Sequence, residues 1–186
     1  MFWTSLTYLL SAEPFSYSAG RIGLLGLAGA AGALAVRRAG ALHDRGWSAP
    51  ATGAALGLLA LSLVAGRAAS GSLIALVVVI VVLDVAVQGT VVLGQARLFA
   101  LPGSARSRLN TALVVCNFLG GAIGSALTGP LWALGGWTAI MAVALGITLV
   151  GLLVWTLTRR GRLVDTGAAD AQATPHADKA RVRASL

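Results

Sequence analysis

Fifty consecutive residues, Leu109 through Thr158, carry no charged side chain. A soluble domain has nowhere to hide an uncharged apolar run of that length. A bilayer crossing needs roughly 20 apolar residues, so the stretch holds two crossings and a tight turn. Lipid is therefore the solvent against which the rest of the chain has to be read.

The composition agrees. Apolar residues make up 57% and charged residues 11%, against about 25% charged in soluble domains, and mean hydropathy is +0.84. The net charge of +8 does not describe a nucleic-acid surface. Its arginines sit singly or in short clusters at the ends of apolar runs, with no basic face interleaved with aromatics. One cysteine, Cys116, leaves no intramolecular disulfide. No Cys and His cluster has metal-ligand spacing, so neither a metal nor a cofactor is expected. Ser-x-x-Lys and His-Glu-x-x-His are absent, and no intramembrane histidine stands beside the one intramembrane carboxylate. An intramembrane hydrolase or acyltransferase would lack its minimum constellation, so an enzyme is not expected.

Gaps between charges locate the crossings. Arg45 and Arg67 bracket 21 uncharged residues, and Arg67 and Arg97 bracket 29 residues with Asp84 as their single charge. Full crossings are predicted at 18–36, 49–66, 72–95, 109–132 and 136–158, the first extended backward because Arg21 can snorkel to the interface. Leu134-Gly135-Gly136-Trp137 forms the turn between the last two, with Trp132 and Trp137 suited to the aromatic belt. Arg37, Arg38, Arg45, Arg97, Arg106, Arg108, Arg159, Arg160 and Arg162 fall on one side, against Arg67 and the marginal Arg21 on the other. The positive-inside rule puts the first group in the cytoplasm, together with the C-terminus of a multi-pass protein of the cell (inner) membrane. Residues 1–163 are the membrane domain. Residues 164–186, polar and unpatterned, are read as a disordered cytoplasmic tail.

Met1 to Leu10 is apolar but too short. Ten helical residues rise about 15 Å, half a hydrocarbon core. A signal peptide would need a basic segment ahead of the apolar stretch. The preferred reading is a further helix lacking its first half, so the chain reads as truncated.

Several strings carry a resemblance. Gly40-Ala41-Leu42-His43-Asp44-Arg45 has the form G-x-L-x-D-R. Leu83-Asp84-Val85-Ala86-Val87-Gln88-Gly89 is followed by Ala105-Arg106-Ser107-Arg108-Leu109-Asn110-Thr111, then by Gly120-Gly121-Ala122-Ile123-Gly124-Ser125. With Phe2-Trp3-Thr4-Ser5-Leu6 through Gly32, their order and spacing resemble the C-terminal half, about helices 7–12, of a bacterial major facilitator superfamily (MFS) transporter. The loop string ends at Gly46-Trp47, without the basic residues that usually close it. The resemblance implies an all-α polytopic half-bundle with five full transmembrane helices plus a truncated N-terminal one. It also implies secondary transport of a small molecule, similar to proton-linked efflux of drugs or metabolites. The partners it implies are the lipid bilayer, a small-molecule substrate, and the missing N-terminal half or another membrane half-bundle. The alternatives are a non-transporting half-bundle that binds another permease, and a decayed gene product.

Asp84 holds the most chemistry. A carboxylate at a helix centre costs roughly 2.5–3.5 kcal/mol on insertion scales, so it normally faces a cavity or a partner. Gln88 lies one turn on and Gln95 two turns later, so the three are candidates for one polar stripe of a substrate cavity. The other reading of Asp84 is a hydrogen bond between helices. Gly40, Asp44, Arg45, Arg106 and Arg108 are, by the resemblance, candidates for a cytoplasmic gating loop; topology and lipid anchoring account for the arginines equally well. Gly23, Gly26, Gly29, Gly120, Gly124 and Gly129 are candidate helix-packing positions because small side chains let neighbours approach. Pro130 kinks its helix or marks its final turn.

Overall fold

The computed structural model describes residues 1–13, 15–24, 26, 47–99 and 103–159, and all its regular structure is helical. Helix α1 spans Phe2–Ser11, α2 spans Ser48–Ala68 and α3 spans Leu73–Phe99; a short 3-10 turn, Ala69–Gly71, joins the last two. The remaining helical stretch, Gly103–Thr158, breaks at Gly135 and Gly136 into α4 (103–134) and α5 (137–158). Residues 19–24 and 26 are also helical. The remainder of the predicted 18–36 crossing, Gly29 included, lies outside the described residues, as does the predicted tail.

Among the described residues, three helical stretches are long and apolar enough to cross a membrane: Ser48–Gly71, Leu73–Phe99 and Arg106–Thr158, the last comprising α4 and α5. Their composition explains why they are helical. With no water to serve the backbone, each segment must satisfy its own amides and carbonyls. Hydroxyls follow the same rule by bonding back one turn. Ser62 donates to the Leu58 carbonyl at 2.8 Å, Thr128 to Gly124 at 2.9 Å and Thr148 to Ala144 at 2.8 Å. A hydroxyl paired in this way enters hydrocarbon at little cost.

The turn between α4 and α5 needs two glycines for two different reasons. Gly136 has φ +57°, a left-handed conformation in which a Cβ is penalised. At Gly135 a Cβ would come within 3.0 Å of the Ala139 side chain. Pro130 lies inside α4, ahead of this break.

The apolar core lies at one end of the bundle, where α2, α3 and α5 meet α1. Leu6 and Leu10 of α1 are enclosed by Leu63, Ala69, Leu76, Val79, Ile80, Leu83, Trp137, Ile140 and Met141. Helix α1 also seats on α4: the rings of Tyr8 and Trp132 are 5.5 Å apart, and a Cβ on Gly124 would lie 3.4 Å from that of Met1. Most of α4 beyond these contacts is open, with Val114, Val115, Phe118, Leu119, Ile123 and Leu127 exposed. Large apolar surface facing outward is expected where lipid rather than water surrounds the helix.

Candidate functional site

Helix α3 is unbroken from Leu73 to Phe99, so 3.6-residue periodicity puts Asp84, Gln88 and Gln95 on one stripe. Asp84 and Gln95 are half-buried and Gln88 is exposed. The stripe runs beside the packed face of α3, made by Leu76, Val79, Ile80, Leu83 and Ala86. Its polar groups are thus held by a rigid helix and remain open on one side.

Asp84 has a neighbour that sequence reasoning missed. The Trp3 indole of α1 lies beside its carboxylate. Asp84 is half-buried rather than enclosed, so both readings, a cavity and a bond between helices, stay open. Trp3 is 41% exposed, so the indole leaves room beside it. It is tied into a relay of rings: Trp3 meets Phe2 edge-on at 6.0 Å, and Phe2 meets Trp137 at 5.8 Å. The Trp137 indole N–H in turn donates to the Gly66 carbonyl at 2.8 Å. The one advance signal was an indole within an apolar segment; nothing local tied it to Asp84.

Trp137 is a correction to the belt reading. It is 5% exposed and spends its N–H on α2. Trp155, at the other end of α5, does the same by donating to the Ala49 carbonyl at 3.2 Å. Helices α2 and α5 are therefore antiparallel and joined near both ends. The two carbonyls are about 25 Å apart at 1.5 Å per residue, most of the thickness of the hydrocarbon layer. The Trp155 indole sits where a glycine leaves space, and Gly66 gives close packing to other side chains. A Cβ on Gly53 would overlap the Trp155 ring, and one on Gly66 would meet Val79 at 3.2 Å and the Met141 sulfur at 3.5 Å.

Arg97 is likewise more than a topology signal. Its guanidinium donates from Nε to the Ser48 hydroxyl at 2.8 Å, to the Ser48 carbonyl, and to the Thr52 hydroxyl at 2.8 Å. It clamps the end of α3 to the start of α2. Beside it, Arg159 lies 4.9 Å over the Trp155 ring, within range of a cation–π contact.

The predicted gating-loop residues Gly40, Asp44 and Arg45 lie outside the described residues. Arg106 and Arg108 are exposed at the start of α4. Of the predicted packing glycines, Gly124 touches Met1, while Gly23, Gly26, Gly120 and Gly129 have open space where a Cβ would point. Among the described residues no group of three His, Cys, Asp or Glu could hold a metal ion.

Two relatives give this arrangement a context. The chain is 44% identical over 153 residues to YgaY of Escherichia coli O157:H7, named an uncharacterised transporter; the match covers 82% of this chain and 39% of that protein. It is 38% identical over 157 residues to SCO4007 of Streptomyces coelicolor, named a probable transporter, covering 84% of this chain and 36% of that protein. The chain thus spans less than two fifths of the length of these curated relatives. No family model matches it, and no solved structure does. The chain is thus similar to part of proteins named as transporters, and its described helices include stretches long and apolar enough to cross a membrane.

Proposed function

We propose that this chain is the C-terminal half-bundle of an MFS-type secondary transporter, which carries a small molecule outward in exchange for protons. One observation carries the reading. Asp84 sits within an otherwise apolar membrane-crossing helix, on a stripe with Gln88 and Gln95 that borders the packed face. Intramembrane carboxylates are expensive to place and mark substrate or proton paths. In transporters of this architecture the substrate site lies near the midplane, between two halves. The stripe of α3 would form one wall of that cavity, and a companion half-bundle would supply the other. The transporter names of the relatives support the same class.

The test is proton-coupled flux. The protein, purified from membranes of its own host with whatever chain accompanies it, is reconstituted into liposomes under an imposed pH gradient. Candidate drugs and metabolites are then added, and internal pH is followed. Substrate-dependent proton movement that disappears in Asp84→Asn is the expected result. Proton movement unchanged by Asp84→Asn would remove the carboxylate from the mechanism. Binding to another permease with no flux in any condition would instead make the chain an interaction partner.

A further inference from the structure

The first turn of α2 is gripped from two sides by cationic ends of its neighbours. From α3, the Arg97 guanidinium donates through Nε to the Ser48 hydroxyl, and through Nη2 to the Ser48 carbonyl and the Thr52 hydroxyl. From α5, the Trp155 indole donates to the carbonyl of the next residue, Ala49, at 3.2 Å, and Arg159 lies 4.9 Å over that indole. We propose that this corner of the bundle binds an anionic phospholipid, with Arg97 and Arg159 as its phosphate-binding residues.

Hydrogen-bond accounting supports this. A guanidinium carries five N–H donors and is not deprotonated in proteins. Arg97 uses Nε and Nη2 on α2, and among the described residues its Nη1 meets no acceptor. Arg159 is exposed and rests on a ring, which leaves its donors without an oxygen partner among the described residues. The described carboxylates cannot serve them. Glu13 follows α1 at the opposite end of the bundle, where Leu10 packs on Ala69 and Trp137. Asp84 lies about 20 Å back along α3 from Arg97. A lipid phosphate matches the planar fork of an arginine and can take both N–H groups of one edge.

Depth and surroundings favour a lipid over a free anion. Arg97 lies about 36 Å from Leu73 along α3, beyond a hydrocarbon core of about 30 Å. Trp47, at the start of α2, is 62% exposed, as suits an indole at headgroup level. The positive-inside rule puts this end in the cytoplasm, where the leaflet is anionic. Leu153 and Leu157, on the last turns of α5 before Arg159, are exposed and give acyl chains an apolar surface. Arg97 is already fixed by Ser48 and Thr52, so little rotamer entropy is lost when the phosphate arrives.

The test does not require transport. The full chain is purified in nonionic detergent, and binding of phosphatidylglycerol is titrated by native mass spectrometry with phosphatidylcholine as the neutral reference. Wild type is expected to retain phosphatidylglycerol in preference. Arg159→Gln is expected to weaken that binding about tenfold, the factor that corresponds to about 1.4 kcal/mol. Arg108→Gln removes the same charge from the same side of the membrane, at the exposed start of α4, and is expected to change nothing. Equal losses in the two variants would reduce the binding to diffuse attraction and overturn the proposal. Equal retention of the two lipids by wild type would overturn it without any variant. In a thermal melt, phosphatidylglycerol is expected to stabilise wild type more than Arg159→Gln, and inorganic phosphate neither. Stabilisation by inorganic phosphate that Arg159→Gln abolishes would mean an ion site with no use for acyl chains, and the lipid proposal would fall.

Discussion

Gly53 shows how much one hydrogen atom can matter in a lipid-embedded protein. The Trp155 ring lies where its Cβ would be, and the indole is held there by the Ala49 carbonyl and by Arg159 above it. Alanine at this position must displace the ring and break that bond. Gly53→Ala is expected to destabilise by about 1–3 kcal/mol, as overpacking typically does. A thermal melt in detergent checks this, with Gly57→Ala as the control. Gly57 has nothing within 4 Å, so that substitution gains helix propensity at no steric cost. The legibility of individual residues followed their contrast with their surroundings. Asp84 is plain in the sequence because a carboxylate in a run of valines has no ordinary reason to be there. Trp3 beside it is not, because the two residues are on helices far apart in the chain. The regular glycines at 20, 23, 26 and 29 attract a packing reading, yet the close approaches are at Gly53 and Gly66, which stand in no conspicuous pattern.

At the scale of helices, spacing between charges located α2 to α5 well, and the ends moved for a physical reason. The crossing predicted to stop at residue 95 continues as helix to Phe99. A charge was read as the limit of the apolar segment, but Arg97 turns back to bond Ser48 and Thr52, so the backbone has no need to break. This clamp should be energetically coupled. A double-mutant cycle of Arg97→Ala and Thr52→Ala, measured by chemical denaturation in detergent, is expected to give an interaction of about 1 kcal/mol. A coupling of zero would mean that Arg97 contributes only through charge and topology. The pairing of α2 with α5 was beyond sequence reasoning because it depends on two indoles that also suit a membrane interface. Only their distance from the Gly66 and Ala49 carbonyls tells the two uses apart.

For the molecule as a whole, α1, α2, α3 and α5 share one core, while α4 meets the others mainly through α1 and its own final turns. Its outward surface includes Cys116, the chain's single cysteine, about 10 Å inside the apolar segment from Leu109. In intact membranes Cys116 is expected to react with a permeant maleimide and to be spared by a charged one from either side. Modification by the charged reagent would place water against this face and make α4 part of an aqueous path. The turn that ends α4 has a further consequence for how the protein is made. Gly135 and Gly136 leave no polar stretch long enough to be displayed by itself. During synthesis α4 and α5 must therefore enter the bilayer as a helical hairpin, the second helix committed to return once the first has crossed. Their orientation is one decision taken for both, and Arg108 and Arg159, at the two free ends of that hairpin, reinforce each other in making it.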